Sequence, residues 1–255
     1  MDFTTKVFLD LIDRVELSRY SSTSFYSFLK QEYTNKDLIL RHDVDRKPEN
    51  ALRLARLEAS KEVLGTFNFR TVPGVYNKTI IQEIADLGHE IGYHYENMDT
   101  CNGDIDAAWD DFRRNLDKLR KLYPVKTICM HGSPLSRYDN RDLWNKYDYR
   151  SVGIIGEPYF DIDYDEVFYL TDTGRRWDGK SVSVRDKVER KESNNWPTYH
   201  STFDIIEAVK EGSFPEKAMI NVHPQRWFDF GYGWVRELVL QNIKNVGKYF
   251  LAKYR

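Results

Sequence analysis

Short apolar runs alternate with amphipathic stretches along most of the chain from residue 38. Each run has the length of a buried strand, and each stretch after it places apolar residues three and four positions apart, as on one face of a helix. This alternation is typical of a parallel sheet with helical crossovers. The pattern predicts strands at residues 38–40, 66–69, 91–94, 127–130, 151–155, 167–170, 181–184 and 218–222.

The strand count and the length of 255 residues together indicate an α/β fold. Seven or eight strand and helix units form a barrel-sized set, so we predict an irregular (β/α)7-8 barrel. We take residues 1–255 as a single domain. Within it, residues 1–36 are expected to form an N-terminal helical extension, one helix and an irregular Ser-rich segment, packed on the barrel.

The predicted helices carry start and stop signals. Asn77 and Asp104 are placed to cap helices, Pro48 suits a first helical turn, and Gly88 suits a left-handed residue after a helix. A further helix is predicted near residues 202–210. The final predicted helix has one apolar face, formed by Val235, Leu238, Val239, Ile243, Val246 and Phe250.

Charge and composition exclude several classes of partner. The formal net charge is −2, from 38 basic and 40 acidic residues that are interspersed, so the chain as a whole lacks the basic field that attracts nucleic acid or anionic lipid. No apolar stretch of 18 residues predicts a membrane span, and the N-terminal residues lack the apolar core of a signal peptide. We therefore expect a cytoplasmic protein, with its two cysteines reduced; a homo-oligomer is compatible with the sequence.

Acidic or imidazole side chains stand where four of the apolar runs end. The runs end at His-Asp-Val-Asp of residues 42–45, at His94, at His131 and at His223, which accounts for four of the six histidines. The carboxyl ends of strands in a parallel barrel share one face, so these groups are expected to meet. The sequence therefore predicts a functional site built from several strands.

Asp43 and Asp45 are two residues apart, so on an extended backbone both carboxylates project to one side. Two such charges are compatible when a cation lies beside them, which suggests a metal with one Asp as ligand and the other as base. Histidines from neighbouring strands fit a zinc-like ion. The alternative is that one Asp caps the next helix and the other pairs with Arg41 or Arg46.

The motifs resemble those of the NodB-homology polysaccharide deacetylases, carbohydrate esterases that remove N- or O-acetyl groups from glycans with one divalent metal on an irregular (β/α) barrel. The resemblance covers residues 39–227 and is carried by the acidic motif at 42–45, Gly-His-Glu-Ile-Gly-Tyr-His at 88–94 and an apolar strand that ends in His223. It implies that Asp43 is the base, Asp45 and His94 are metal ligands and His223 is the general acid.

One position departs from the family pattern. The family's second histidine ligand would fall at Met98, and a thioether is a poor ligand for a hard or borderline dication. We take His131 as the first candidate to complete the site and Glu96 as the second. The family usually has an Arg-Pro-Pro-like segment at this point, so His131 could instead orient the base.

The segment at residues 172–177 is similar to the family's Asp-and-Trp segment, which supports the acid. The residues expected to bind substrate or support the site are Arg41, Glu96, Asp172, Arg176 and Trp177. The alternative for Arg175 and Arg176 is that both are plain surface charges. We assign His89 and His200 to structural roles.

The resemblance implies a metal-dependent hydrolase that removes an acyl group from a sugar, with one divalent metal, expected to be zinc. The substrate would be a small carbohydrate or a nucleotide- or lipid-linked sugar, as a precursor of a cell-surface polysaccharide. Two alternatives stay open. One is a metal-free sugar-binding or scaffold protein with the same fold, and the other is an amidase or deformylase acting on another C–N bond.

Overall fold

The computed structural model describes residues 1–18, 20–30, 36–133, 136–178, 186, 188–189 and 195–254. Within these residues, seven parallel strands form one half-barrel sheet with helices around it, which confirms the predicted barrel-like α/β fold. The strands are β1 Ser21–Thr23, β2 Asp37–Val44, β3 Thr66–Phe69, β4 Glu90–Tyr95, β5 Ile128–Met130, β6 Phe168–Thr171 and β7 Lys217–Val222. The α-helices are α1 Thr5–Leu17, α2 Phe25–Leu29, α3 Pro48–Ala59, α4 Lys78–Asp86, α5 Asn97–Thr100, α6 Ile105–Arg120, α7 Pro158–Asp161, α8 Thr202–Glu211 and α9 Tyr232–Tyr254.

Strand β2 lies at the centre of the sheet. The order of the strands is β5-β4-β3-β2-β7-β6, and β1 also pairs with β2. Strand β7 pairs with β2 along one edge, from Asp37 to His42. The other edge of β2 is shared: β1 pairs with residues 37–39, and β3 pairs with residues 41–44. The Ser-rich segment thus contributes a strand to the sheet, where the sequence indicated only irregular structure.

The two faces of β2 have different neighbours. Leu38 and Leu40 belong to the apolar layer beneath the helices, whereas Arg41 and Asp43 face the other side and bond to each other. His42 lies between them in sequence and points back to the helices, with Nε2 2.8 Å from the buried Glu58 of α3. The period of two therefore separates a packing histidine from two site residues within one motif.

The predicted helix signals are confirmed. Asn77 accepts a hydrogen bond from the backbone N–H of Ile80 at the start of α4, and Gly88 follows that helix with φ +95°. Asp104 accepts from two backbone N–H groups at the start of α6. Pro48 occupies the first turn of α3. Asn77 and Asp104 thus satisfy donors that helix starts leave unpaired.

The structure differs from the predicted elements at one strand and in the exposure of the last helix. The strand predicted at 151–155 is wrong, because Asp148 caps a 3₁₀ helix, Tyr149–Val152, which Gly153 ends with φ +74°. The strand predicted at 181–184 falls outside the described residues. The apolar face of α9 is largely exposed, including Val239 and Ile243. Among the described residues, the helices are all too short or too polar to cross a membrane.

Candidate metal centre

The carboxyl ends of β2, β4, β5 and β7 bring the predicted site residues together at one edge of the sheet. Asp43 lies in β2 and Asp45 just beyond it, while His94 lies in β4. His131 and His223 come directly after β5 and β7. Because all of these strands are parallel, their ends open on the same side, as the sequence predicted.

Asp45, His94 and His131 present three ligand atoms to one point. Oδ1 of Asp45 lies 3.2 Å from Nε2 of His94 and 3.1 Å from Nδ1 of His131, and the two ring nitrogens are 3.2 Å apart. In a tetrahedral zinc site with bonds of about 2.0–2.1 Å, ligand atoms lie about 3.4 Å apart. The triangle is close to that size, so these residues fit a small divalent ion that keeps one position open for water or substrate.

The surroundings of the triangle fix how its groups point. Nδ1 of His94 lies 2.9 Å from the carbonyl oxygen of Cys129, and donation to this oxygen leaves Nε2 as the ligand atom. Gln225 donates a 2.7 Å hydrogen bond to Oδ2 of Asp45, which turns Oδ1 towards the histidines. Arg70 donates to the backbone carbonyl of Asp45 at 3.1 Å. In each contact, a group outside the triangle fixes the position of Asp45 or His94.

The charges inside the triangle favour a bound cation. Burial alone would raise the pKa of Asp45, but the neighbouring His131, His94 and His223 bring it well below its usual range. Burial lowers the pKa of His94, and Asp43 and Asp45 more than offset this and raise it. The triangle thus holds an ionised carboxylate beside an imidazole whose protonated form Asp43 and Asp45 favour. A divalent cation could take the place of that proton.

Asp43 lies next to the triangle and is held by four donors. Arg41 donates to both of its oxygens, at 3.1 and 2.6 Å, and the amides of Asn68 and Asn221 donate at 3.2 and 3.1 Å. Burial would raise the pKa of Asp43, but Arg41 and His94 keep it well below its usual range. Oxygen of Asp43, nitrogen of His94 and sulfur of Cys129 lie within 4.8 Å of one another. Asp43 is therefore a fixed anion beside the candidate metal position.

His223 and Asp172 form a buried pair on the other side of the triangle. Nδ1 of His223 lies 2.6 Å from Oδ1 of Asp172, and its backbone N–H donates to Oδ2 at 3.0 Å. Arg226 and Trp227 donate to the same carboxylate at 2.5 and 2.8 Å. Nε2 of His223 lies 4.0 Å from Asp45. Burial raises the pKa of Asp172, but Arg226 and His223 outweigh it, so the carboxylate stays ionised.

Some residues that the sequence singled out lie elsewhere. Glu96 pairs with Arg70 at 2.9 and 2.6 Å, so it stands behind Asp45 and outside the triangle. Met98 is buried in the apolar core. Arg176 pairs with Asp178 at the surface because its segment turns away from the site after Asp172.

Trp177 also lies outside the site. It is buried and donates to the hydroxyl of Thr202 at 2.9 Å, while its ring lies near that of Trp227. Of the two tryptophans, Trp227 is therefore the one that bonds Asp172. The segment 172–177 supplies the predicted carboxylate, and the residue that supports it comes from after β7.

Sequence reasoning missed the residues that hold the charged groups in place, which are Asn68, Arg70, Asn221, Gln225, Arg226 and Trp227. A signal existed for some of them. Asn221 lies two residues before His223 and thus on the same face of β7, and the Pro-Gln-Arg-Trp segment follows His223 directly. Asn68 and Arg70 alternate in the same way along β3 and beyond it.

No protein-family model matches the chain, and no curated protein sequence matches it. Solved structures of similar fold include a family 4 carbohydrate esterase from Bacillus anthracis, at 12% identity over 89% of this chain and 88% of the other, with a TM-score of 0.40. A mutant of a CE4 family pseudoenzyme is similar at 15% identity, 84% and 64% coverage and a TM-score of 0.44. The Xyl-CE4 domain of a multidomain xylanase from the hindgut metagenome of Trinervitermes trinervoides is similar at 14% identity, 84% and 85% coverage and a TM-score of 0.39. These are structures of the family that the sequence motifs resemble.

Proposed function

We propose that the chain is a metal-dependent hydrolase that removes an N- or O-acyl group from a sugar. The observation that carries this proposal is the triangle of Asp45, His94 and His131, with sides of 3.1 to 3.2 Å and with Asp43 and His223 on its flanks. Three protein ligands with one open position are the usual arrangement of a catalytic zinc site. The sugar substrate is inferred from the resemblance of the motifs to polysaccharide deacetylases.

The two flanking groups suit the two proton transfers of acyl hydrolysis. A divalent ion held by the triangle would lower the pKa of a bound water and polarise the acyl carbonyl. Asp43 would accept the proton of the attacking water, and because the pKa of Asp43 is low, this transfer depends on acidification of that water by the metal. His223, oriented by Asp172, then gives a proton to the leaving amine or alcohol.

The arrangement of donors around Asp43 favours a second candidate, a metal-free sugar-binding protein. All four hydrogen bonds to this carboxylate come from within the protein, so it has no need of substrate or water to be satisfied. In such a protein the triangle would be stabilised by protons shared among Asp45 and the two histidines. The metal content of the purified protein separates the two candidates.

The test combines metal analysis with an assay of acetate release from N-acetylated and O-acetylated oligosaccharides. We expect about one zinc ion per chain, turnover that a chelator abolishes, and loss of metal in Asp45→Asn and His131→Ala. Asp43→Asn is expected to keep the metal and lose turnover. His200→Ala is the matched control, because His200 pairs with a carboxylate, Asp178, at the surface and away from the triangle.

The proposal fails if the protein binds no divalent ion and added zinc or cobalt brings no turnover. Metal binding without acetate release would instead favour the amidase or deformylase alternative, which release of formate or of amine from other C–N substrates would establish. Equal loss of metal in Asp43→Asn and Asp45→Asn would show that the roles of base and ligand are wrongly assigned.

A further inference from the structure

Helix α9 presents its polar side to the protein and an apolar side to the outside. Glu237 and Gln241 of α9 are buried on the side that faces the protein, and Asn245 donates a 2.9 Å hydrogen bond to the carbonyl of Gly174. The opposite side carries a line of exposed apolar residues, which we call the apolar stripe. It consists of Tyr232, Val235, Val239, Ile243 and Val246, whose exposed fractions are 83%, 46%, 51%, 64% and 59%.

The apolar stripe is continuous along the helix. Its members recur three or four positions apart, which at 100° per residue confines them to an arc of roughly 80° and a length of about 21 Å. At its start lies Phe230, which is 65% exposed and packs on Trp234. Phe230 also lines a groove of about 470 Å³ with Met1 and Phe203, two further exposed apolar residues. A surface helix of an ordinary monomer has the reverse orientation.

Cations outnumber acids along one side of the apolar stripe, so positive charge is concentrated locally although the chain as a whole has a net charge of −2. Arg236 and Lys244 are exposed on α9, and the acidic residue within 230–247, Glu237, is buried. The guanidinium of Arg46 lies 4.0 Å from the carboxylate of Glu237, and Lys47 is the next residue in the chain after Arg46. Burial and the nearby Arg46 lower the pKa of Lys47 and of Lys244, and these effects outweigh Glu237, which raises both, as expected where cations outnumber a single acid.

We propose that α9 is an interfacial helix that docks the protein on an anionic lipid surface. An apolar stripe bordered by Lys and Arg is the composition that lies in the headgroup region of a bilayer, with the apolar side buried and the cations near lipid phosphates. A second copy of the chain is a poorer occupant, because the antiparallel pairing of two stripes would bring the same cations face to face. This inference goes beyond the proposed hydrolysis and does not depend on it.

The position of α9 would bring the candidate metal centre close to the lipid. Asn245 bonds to Gly174, and Arg175 donates a 3.2 Å hydrogen bond to the carbonyl of Trp234. Both contacts join α9 to the loop that begins at Asp172, the partner of His223. A docked helix would therefore lie next to the segment that carries Asp172, on the side of the protein where a lipid-linked sugar would be presented.

Flotation of the full chain with vesicles tests the inference. We expect binding to vesicles of phosphatidylcholine with phosphatidylglycerol, weak binding to phosphatidylcholine alone, and release at high salt. The double variant Val239→Ser/Ile243→Ser should weaken binding at least about tenfold, and Arg236→Gln and Lys244→Gln about fivefold each. Leu17→Ser is the matched control, since Leu17 is an apolar residue of α1 that is 65% exposed.

The inference is overturned if the unchanged protein does not float with the anionic vesicles at low salt. It is also overturned if the stripe and control variants bind equally well. Analytical ultracentrifugation supplies the remaining outcome: a dimer that Val239→Ser/Ile243→Ser dissociates, with no vesicle binding, would assign the apolar stripe to a second copy of the chain.

Discussion

Nδ1 of His223 lies 2.6 Å from Asp172, and with this bond in place Nε2 of the same ring lies 4.0 Å from Asp45 of the candidate metal triangle. The contact determines which nitrogen is free to face a substrate. Arg226 donates to Oδ1 of Asp172, the same oxygen that Nδ1 of His223 contacts. The guanidinium nitrogen therefore lies only 2.8 Å from Nδ1. Asp172 is thus a positioning residue for the proposed acid.

We expect Asp172→Asn to lower kcat/KM by about 100-fold while leaving the metal content unchanged, because the amide can present an N–H to Nδ1 and turn the wrong nitrogen outward. Steady-state kinetics with an acetylated oligosaccharide and metal analysis of the same preparation measure both quantities. Asp178→Asn is the control, since Asp178 makes a similar bond to His200 at the surface. Equal kinetics for the two variants would remove the positioning role.

Gly92 is required beside Asp43 because its neighbour Asn68 occupies the space of a side chain. The two residues are partners in the register of β3 and β4, and a Cβ added at Gly92 would lie 2.0 Å from Oδ1 of Asn68. We expect Gly92→Ala to push the Asn68 amide away from Asp43, to cost about 1–3 kcal/mol of stability and to reduce turnover about tenfold.

A double-mutant cycle shows whether the effect passes through Asn68. In the Asn68→Ala background, Gly92→Ala should cause no further loss of turnover, since the displaced amide is already absent. Gly247→Ala controls for the change of glycine to alanine, because a Cβ there meets nothing within 4 Å. Additive losses from Gly92→Ala and Asn68→Ala would contradict the proposed route.

Glu157 is a fully buried carboxyl that accepts from the backbone N–H of Met130 at 3.0 Å and of Tyr159 at 2.6 Å. Burial raises its pKa from an ordinary value of 4.5 to about 7. The pKa of Glu157 is higher in the folded state than in the unfolded state. The stabilisation of the folded state by protonated Glu157 is therefore complete below about pH 4.5 and is lost as the pH rises through about 7. We expect the free energy of unfolding to fall by up to about 3 kcal/mol between these values on this account.

Urea unfolding from pH 4.5 to 8, with a chelator present, measures this dependence. Glu157→Gln should flatten the slope relative to the unchanged protein, and the comparison cancels groups of the same sign such as Glu90, whose pKa burial also raises. The exposed Glu166 provides the control variant Glu166→Gln, which should keep the original slope. A slope that persists in Glu157→Gln would assign the effect to other groups.

Local sequence signals predicted the elements and the edge of the sheet at which the site forms. Asn77 and Gly88 determine the ends of α4 through contacts within a few residues, so they can be recognised without the fold. Asp43 and His94 were found because strand ends in a parallel sheet must share an edge. The prediction of a strand from an apolar run failed at residues 151–155, where Gly153 ends a 3₁₀ helix that the spacing of apolar residues does not reveal.

The individual hydrogen bonds between distant residues could not be predicted. Asn221 bonds to Asp43 across 178 positions of the chain, and only the register of β2 with β7 brings them together. Gln225 reaches Asp45 across 180 positions. The outward orientation of α9 is also a tertiary outcome, because its apolar stripe has the same spacing as a stripe that packs on a core.

Gln225 provides the last prediction, which concerns metal-linked stability. If the triangle binds zinc, a free concentration 100 times the Kd should raise the free energy of unfolding by about 2.7 kcal/mol. Gln225 holds Oδ2 of Asp45, so Gln225→Leu should weaken metal binding by about 10- to 100-fold and reduce the zinc-induced increase at the same concentration by about 1.3–2.3 kcal/mol. Thermal unfolding with zinc and with a chelator measures this increase in each variant. Gln82→Leu, at an exposed glutamine of α4, should retain the full increase, whereas an equal increase in both variants would show that Gln225 does not position the ligand.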